Sequence, residues 1–107
     1  MNEQNPDKFA LDQLLQAGSD LSKFHNVQFV FYFPDEEKAV LAKKDLEEFL
    51  ESSESRTTPS EYGDYLLEIN KKLIPKLGSF QELRNQLGKI ASDFEGSYDG
   101  WGTEVER

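Results

Sequence analysis

Asp93, Glu95, Ser97, Asp99 and Glu104 stand at positions 1, 3, 5, 7 and 12 of a calcium-loop pattern, a spacing that converges oxygen ligands on one hard cation. The sixth position of such a loop turns sharply and needs glycine, and here it is Tyr98. No metal ligands are therefore assigned. His25 is the single histidine and no cysteine accompanies it. An imidazole with no second histidine or cysteine nearby reads as a strand-end residue with its hydrogen bond satisfied, not as a base or ligand. Without cysteine there are no disulfides, thiolate zinc sites, iron–sulfur clusters or cysteine nucleophiles. Neither a Gly-rich phosphate loop nor a G-x-S-x-G elbow is present. No catalytic residue and no cofactor are expected, and the chain reads as a non-enzyme.

The chemistry that remains is electrostatic. The net charge is −9 at pH 7, and it is unevenly spread. Residues 35–55 hold eight acids against three lysines, and residues 93–107 hold five acids against one arginine. Such a balance repels phosphate backbones, so a basic protein partner is expected and direct nucleic-acid binding is not. Glu47, Glu48 and Glu51, with Glu54 beyond them, are either a solvated helix face or a docking surface for that partner. No run of about 18 apolar residues exists to span a membrane, and the polar, acidic start is unlike a secretory signal, so the cytoplasm is the default expectation.

These residues must be held by a fold, and the fold is organised around residues 27–33. Val27, Phe29, Phe31 and Phe33 share one face, while Gln28, Val30 and Tyr32 share the other, the period of a strand with one buried side. A strand this apolar belongs in the middle of a sheet under helices. Asn5, Pro6 and Gly18 bracket a helix over 6–17, with Leu11, Leu14 and Leu15 and either Phe9 or Ala10 as its apolar stripe. Asp35 caps a second helix over 35–50, whose buried face should be Ala39, Ala42, Leu46, Phe49 and Leu50. Lys43 with Glu47 and Lys44 with Glu48 are spaced to pair on its outside.

Residues 52–58 suggest a short polar edge strand, and 65–74 a further strand closed by Pro75. Ser79 and Glu82 form an S-x-x-E capping box at the start of a helix carrying Leu83, Leu87, Ile90, Ala91 and Phe94. Gly88 is a defect inside that helix, and Gly96 stands where a left-handed cap is expected. Asp99-Gly100 suggests a turn into a last strand through Trp101, Thr103 and Val105. The element order predicts an α+β, ferredoxin-like β-α-β-β-α-β sandwich with a four-stranded antiparallel sheet and an additional N-terminal helix. We expect a helical leader over 1–20 and one domain over 21–107. The open sheet face, centred on Val30 and Tyr32, is a second candidate surface for an unrelated protein partner.

Tyr98-Asp99-Gly100-Trp101-Gly102-Thr103 is required by no general helix or strand rule. With Phe31-Tyr32-Phe33-Pro34-Asp35-Glu36 and Gln13-Leu14-Leu15-Gln16-Ala17-Gly18-Ser19-Asp20, it resembles the bacterial family called regulator of ribonuclease E activity B, over residues 11–105. The resemblance implies a ferredoxin-like, non-enzymatic protein that binds ribonuclease E, at a basic noncatalytic segment, and lowers or redirects its activity. For individual side chains two roles stay open: Trp101 and Tyr98 fill the core and Asp99 stabilises a turn, or all three touch the partner. The candidate contact residues are Glu47, Glu48, Glu51, Tyr32, Tyr98, Asp99 and Trp101.

Overall fold

The computed structural model describes residues 5–51 and 54–107. Its elements follow in the order α1 (Pro6–Gln16), β1 (His25–Phe33), α2 (Glu36–Leu50), β2 (Glu54–Pro59), β3 (Tyr65–Leu73), α3 (Leu77–Asp93) and β4 (Ser97–Gly102). The alternation along β1 is realised in full: Val27, Phe29, Phe31 and Phe33 are each no more than 1% exposed. β1 lies between β3 and β4 in a four-stranded sheet of order β2-β3-β1-β4, with every neighbouring pair antiparallel. Ile69 stands opposite Phe29 and Leu67 opposite Phe31, which carries the buried face across to β3. The expected edge strand is β2, starting at Glu54; the expectation for Ser52 and Ser53 lies outside the described residues.

α2 joins β1 to β2, and α3 joins β3 to β4, each passing over one intervening strand. Both cover the phenylalanine face, through Ala39, Ala42, Leu46 and Leu50 on α2 and Phe80, Leu87 and Ala91 on α3. Phe49, expected in the α2 face, is instead turned outward. The buried residues recur at steps of three, four and four, and Phe49 falls to one side of that line. On α1, Leu11 and Leu14 join the core, whereas Phe9 and Leu15 stay exposed.

Local capping explains most helix ends. Asn5 Oδ1 accepts the backbone N–H groups of Asp7 and Lys8, and Asp35 Oδ1 accepts that of Lys38. α3 departs from expectation. It starts at Leu77 after a Lys76 cap that makes no side-chain hydrogen bond, so the Ser79–Glu82 capping box does not form. The earlier start puts Phe80 against Phe29, ring centroids 6.5 Å apart, and burying a phenylalanine stabilises by about 1.5–3 kcal/mol against about 1 for a cap.

The end of α3 also corrects the sequence reading. Glu95, not Gly96, takes the left-handed conformation at φ 63°, and the Glu95 and Gly96 N–H groups donate to the Ser92 and Ala91 carbonyls in a Schellman closure. Asp99-Gly100 lies inside β4 and makes no turn. Val30 pairs with Gly100 and Phe31 with Tyr98, leaving Asp99 as the extra residue of a β-bulge, with Gly100 at φ 124°. Thr103 and Val105 fall beyond the strand.

Gly88 has open space where a Cβ would stand. Gly88→Ala is therefore expected to stabilise the protein by about 0.5–1 kcal/mol, read as a higher urea midpoint at unchanged slope. A lower midpoint would show that the bare backbone there is needed for packing.

Candidate protein-docking site

Two groups of candidate residues lie at opposite edges of the sheet, and they are built differently. At the β4 edge, Trp101 and Tyr98 point to the helix side. The Trp101 ring stacks on Phe80 with centroids 3.9 Å apart and planes 7° from parallel. Its Nε1–H donates to Asp7 Oδ1 at 2.9 Å. Asp7, at 1% exposed, also accepts both forks of Arg84: Nη2 to Oδ1 at 2.8 Å and Nε to Oδ2 at 3.0 Å. One carboxylate thus ties α1 to α3 and to β4. These hydrogen bonds to Asp7 hold the Arg84 guanidinium above its ordinary value.

Tyr98 lies 5.2 Å from Phe31 by ring centroids, and the Arg84 guanidinium carbon sits 5.2 Å above its ring. Its hydroxyl has no hydrogen-bond partner among the described residues, and burial pushes its titration above the ordinary tyrosine range. Asp99, the bulge residue between these aromatics, is exposed. Tyr98 and Trp101 are half-buried and committed to internal partners; Asp99 faces solvent.

Next to this network is a cleft of about 450 Å³ between α1 and the end of β4. Its walls are mostly apolar, from Phe9, Ala10, Leu14 and Trp101, with Gln13 and Thr103 polar. Among the described residues no group of three His, Asp or Glu side chains could hold a metal ion. The acids of the calcium-loop spacing are dispersed: Asp93 ends α3, Glu95 caps it and Asp99 lies in β4.

His25 is fully buried at the start of β1. Nδ1 bonds the Lys23 carbonyl at 2.9 Å, which only accepts, so Nδ1 carries a proton, and the Ser19 hydroxyl stands 2.7 Å from Nε2. Ser19 Oγ in turn accepts the Glu106 N–H at 2.9 Å. The histidine is a structural clamp on the connection between α1 and β1.

The second group is the outer surface of α2. Glu36, Glu37, Asp45 and Glu48 are exposed, and Glu51 follows at the helix end with φ 48°. Its carbonyl accepts Lys71 Nζ of β3 at 2.8 Å. Glu47 is half-buried and accepts the Ser55 hydroxyl of β2. Among the described residues neither Lys43–Glu47 nor Lys44–Glu48 forms an ion pair, so the expected pairing on this face is absent. Tyr32 belongs to neither group. It is half-buried on the open face of the sheet, across from Leu66 and Ser97.

Asp7 and Arg84 were invisible in the sequence. Asp7 reads as an ordinary first-turn acid and Arg84 as a surface cation, and no local signal joins residues 77 positions apart. No helix among the described residues is long and apolar enough to cross a membrane. No curated protein matches the chain. A model of the family described as Regulator of ribonuclease activity B matches residues 4–103.

Proposed function

We propose, since this chain belongs to the regulator of ribonuclease activity B family, that it binds ribonuclease E directly and lowers or redirects RNA degradation without chemistry of its own. The observation that carries this reading is the outer surface of α2, where five exposed carboxylates face solvent beside the exposed Lys44. Such a surface attracts a basic protein segment and repels RNA, so the contact is with the protein. Glu48 and Glu51 lead this contact, with Glu47 held in place by Ser55. Tyr98 and Trp101 serve it by fixing the fold, while Asp99 and Tyr32 lie on other surfaces open to secondary contacts. The reading needs no cofactor and places the protein in a bacterial cytoplasm. Sheet order and antiparallel pairing support assigning the domain to the ferredoxin-like plan, with α1 as its addition.

The test is titration calorimetry of the full chain against the noncatalytic region of the host's ribonuclease E at low and at physiological salt. Micromolar or tighter binding that weakens about tenfold or more as salt rises is expected, because the charged surfaces are exposed. Absence of binding at both salts would overturn the reading.

A further inference from the structure

The outer surface of α2 is not purely acidic. Val40, Leu41 and Phe49 are 51%, 50% and 41% exposed on it. Leu41, Asp45 and Phe49, spaced by four, run down one flank of the helix. Lys38, three residues before Leu41, shows which way that flank looks, because its Nζ pairs with Glu95 just beyond α3 at 2.7 Å. It looks toward α3. There, on the flank of α3 away from Arg84, Leu83 and Ile90 are only partly buried against the core. The two helices run antiparallel on one face of the sheet, which sets Leu41 and Phe49 on the flank of α2 toward Leu83 and Ile90 of α3, an apolar seam along the outside of the pair by their placement. Asp45 lies within the line of Leu41 and Phe49, Glu37 and Glu48 are exposed on the helix beside it, and Glu51 is exposed at the end of α2.

We propose that this seam seats an amphipathic helix of a protein partner, its apolar side on Leu41 and Phe49 and its Lys or Arg flanks toward Glu37, Glu48 and Glu51. This rests on the protein-contact reading above and names the form of the contact. The occupant is a helix because the outside of a helix pair offers side chains and no free backbone groups. An extended segment laid there would gain no backbone hydrogen bonds from the protein, whereas a helix pairs its own groups internally and offers an apolar side at matching spacing. Leu41 and Phe49 are eight residues apart, about 12 Å along the axis, so two to three turns of the occupant span them. Charge selects a basic occupant. A second copy of this chain meeting the seam with its own would bring acids against acids, and a nucleic acid would bring phosphates.

The experiment uses two synthetic 18-residue peptides of identical Lys and Leu composition. In one the leucines fall at helical spacing on a single side; in the other their order is scrambled so that they spread around the helix. Fluorescence anisotropy with the full chain should show the amphipathic peptide binding about tenfold or more tightly than the scrambled one. Leu41→Ser/Phe49→Ser should abolish that preference with little change in the melting curve, Val40→Ser off the seam line should keep it, and Glu48→Lys/Glu51→Lys should weaken both peptides. If the double serine variant melts early, Leu41→Gln alone provides the comparison. Equal binding of the two peptides, or full binding by the serine variant, overturns the seam. The same variants against the noncatalytic region of ribonuclease E separate the two proposals. Binding there that ignores Leu41 and Phe49 but fails on charge reversal removes the seam and keeps the acidic reading. No binding by the unaltered chain removes the ribonuclease reading whatever the peptides do.

Discussion

Gly96→Ala lowers the stability of this protein by about 3 kcal/mol, at the upper end of the usual range for overpacking, and the melting temperature by more than about 10 °C. A Cβ at residue 96 would overlap the Phe33 ring and stand 2.6 Å from the Tyr32 carbonyl oxygen. Neither neighbour can yield cheaply. Phe33 is 1% exposed within the phenylalanine row, and the Tyr32 carbonyl is backbone of the central strand. The contrasting change is Glu95→Gly. It relieves a left-handed residue but gives up an ion pair with Lys38 in which Glu95 is largely exposed, so its net effect stays within about 1 kcal/mol. Urea unfolding of both variants decides the matter. A Gly96→Ala cost no larger than that of Glu95→Gly would mean that the close approach to Phe33 does not constrain the fold.

Arg84→Met leaves the Asp7 carboxylate buried with one remaining partner among the described residues, the Trp101 N–H, and should cost about 3–5 kcal/mol. Asp7→Leu should cost somewhat less, about 2–4 kcal/mol, because the abandoned Arg84 is a third exposed and can recover water. Asp7→Leu/Arg84→Met then removes both charges together. Its cost should fall well below the sum of the single variants, since a buried ion pair replaced by apolar groups of similar volume is often close to neutral. The cycle is read by denaturant unfolding, with tryptophan fluorescence reporting on the single Trp101. Additive single costs would show that the two side chains do not act as a unit, and would demote Asp7 from its place as the joint between α1, α3 and β4.

What the sequence makes legible here is whatever repeats locally. The alternation of Val27, Phe29, Phe31 and Phe33 identifies the central strand because burial on one face of a sheet imposes a period of two. Asp35 and the row Ala39, Ala42, Leu46 and Leu50 likewise mark α2. Phe49 misleads because its spacing from Leu46 suits the same face, yet the buried line Ala39, Ala42, Leu46 and Leu50 leaves it to one side. Ser79 and Glu82 mislead because a cap is worth less than seating Phe80. Gly96 is noticed for its conformational freedom, yet what it supplies is the absence of a side chain beside Phe33, a property of the tertiary packing. The acidic surface of α2 is legible because it needs only spacing. The internal attachment of Trp101 is not, since its partner Asp7 lies 94 residues away.

That separation matters before the fold exists. As the chain leaves the ribosome, α1 emerges with Leu11 and Leu14 on one side and an acid awaiting its base, and nothing to cover them. At about 5–20 residues per second, the 94 residues from Asp7 to Trp101 take roughly 5–20 s to synthesise. β1, with its four apolar side chains, waits almost as long for β4, the strand that closes its second edge. α1 is made well before β4 and finds its place only after it, so newborn chains carry this apolar surface uncovered until β4 has emerged. A truncated product ending before β4 should therefore be recovered with holding chaperones or in aggregates, not as a smaller folded core.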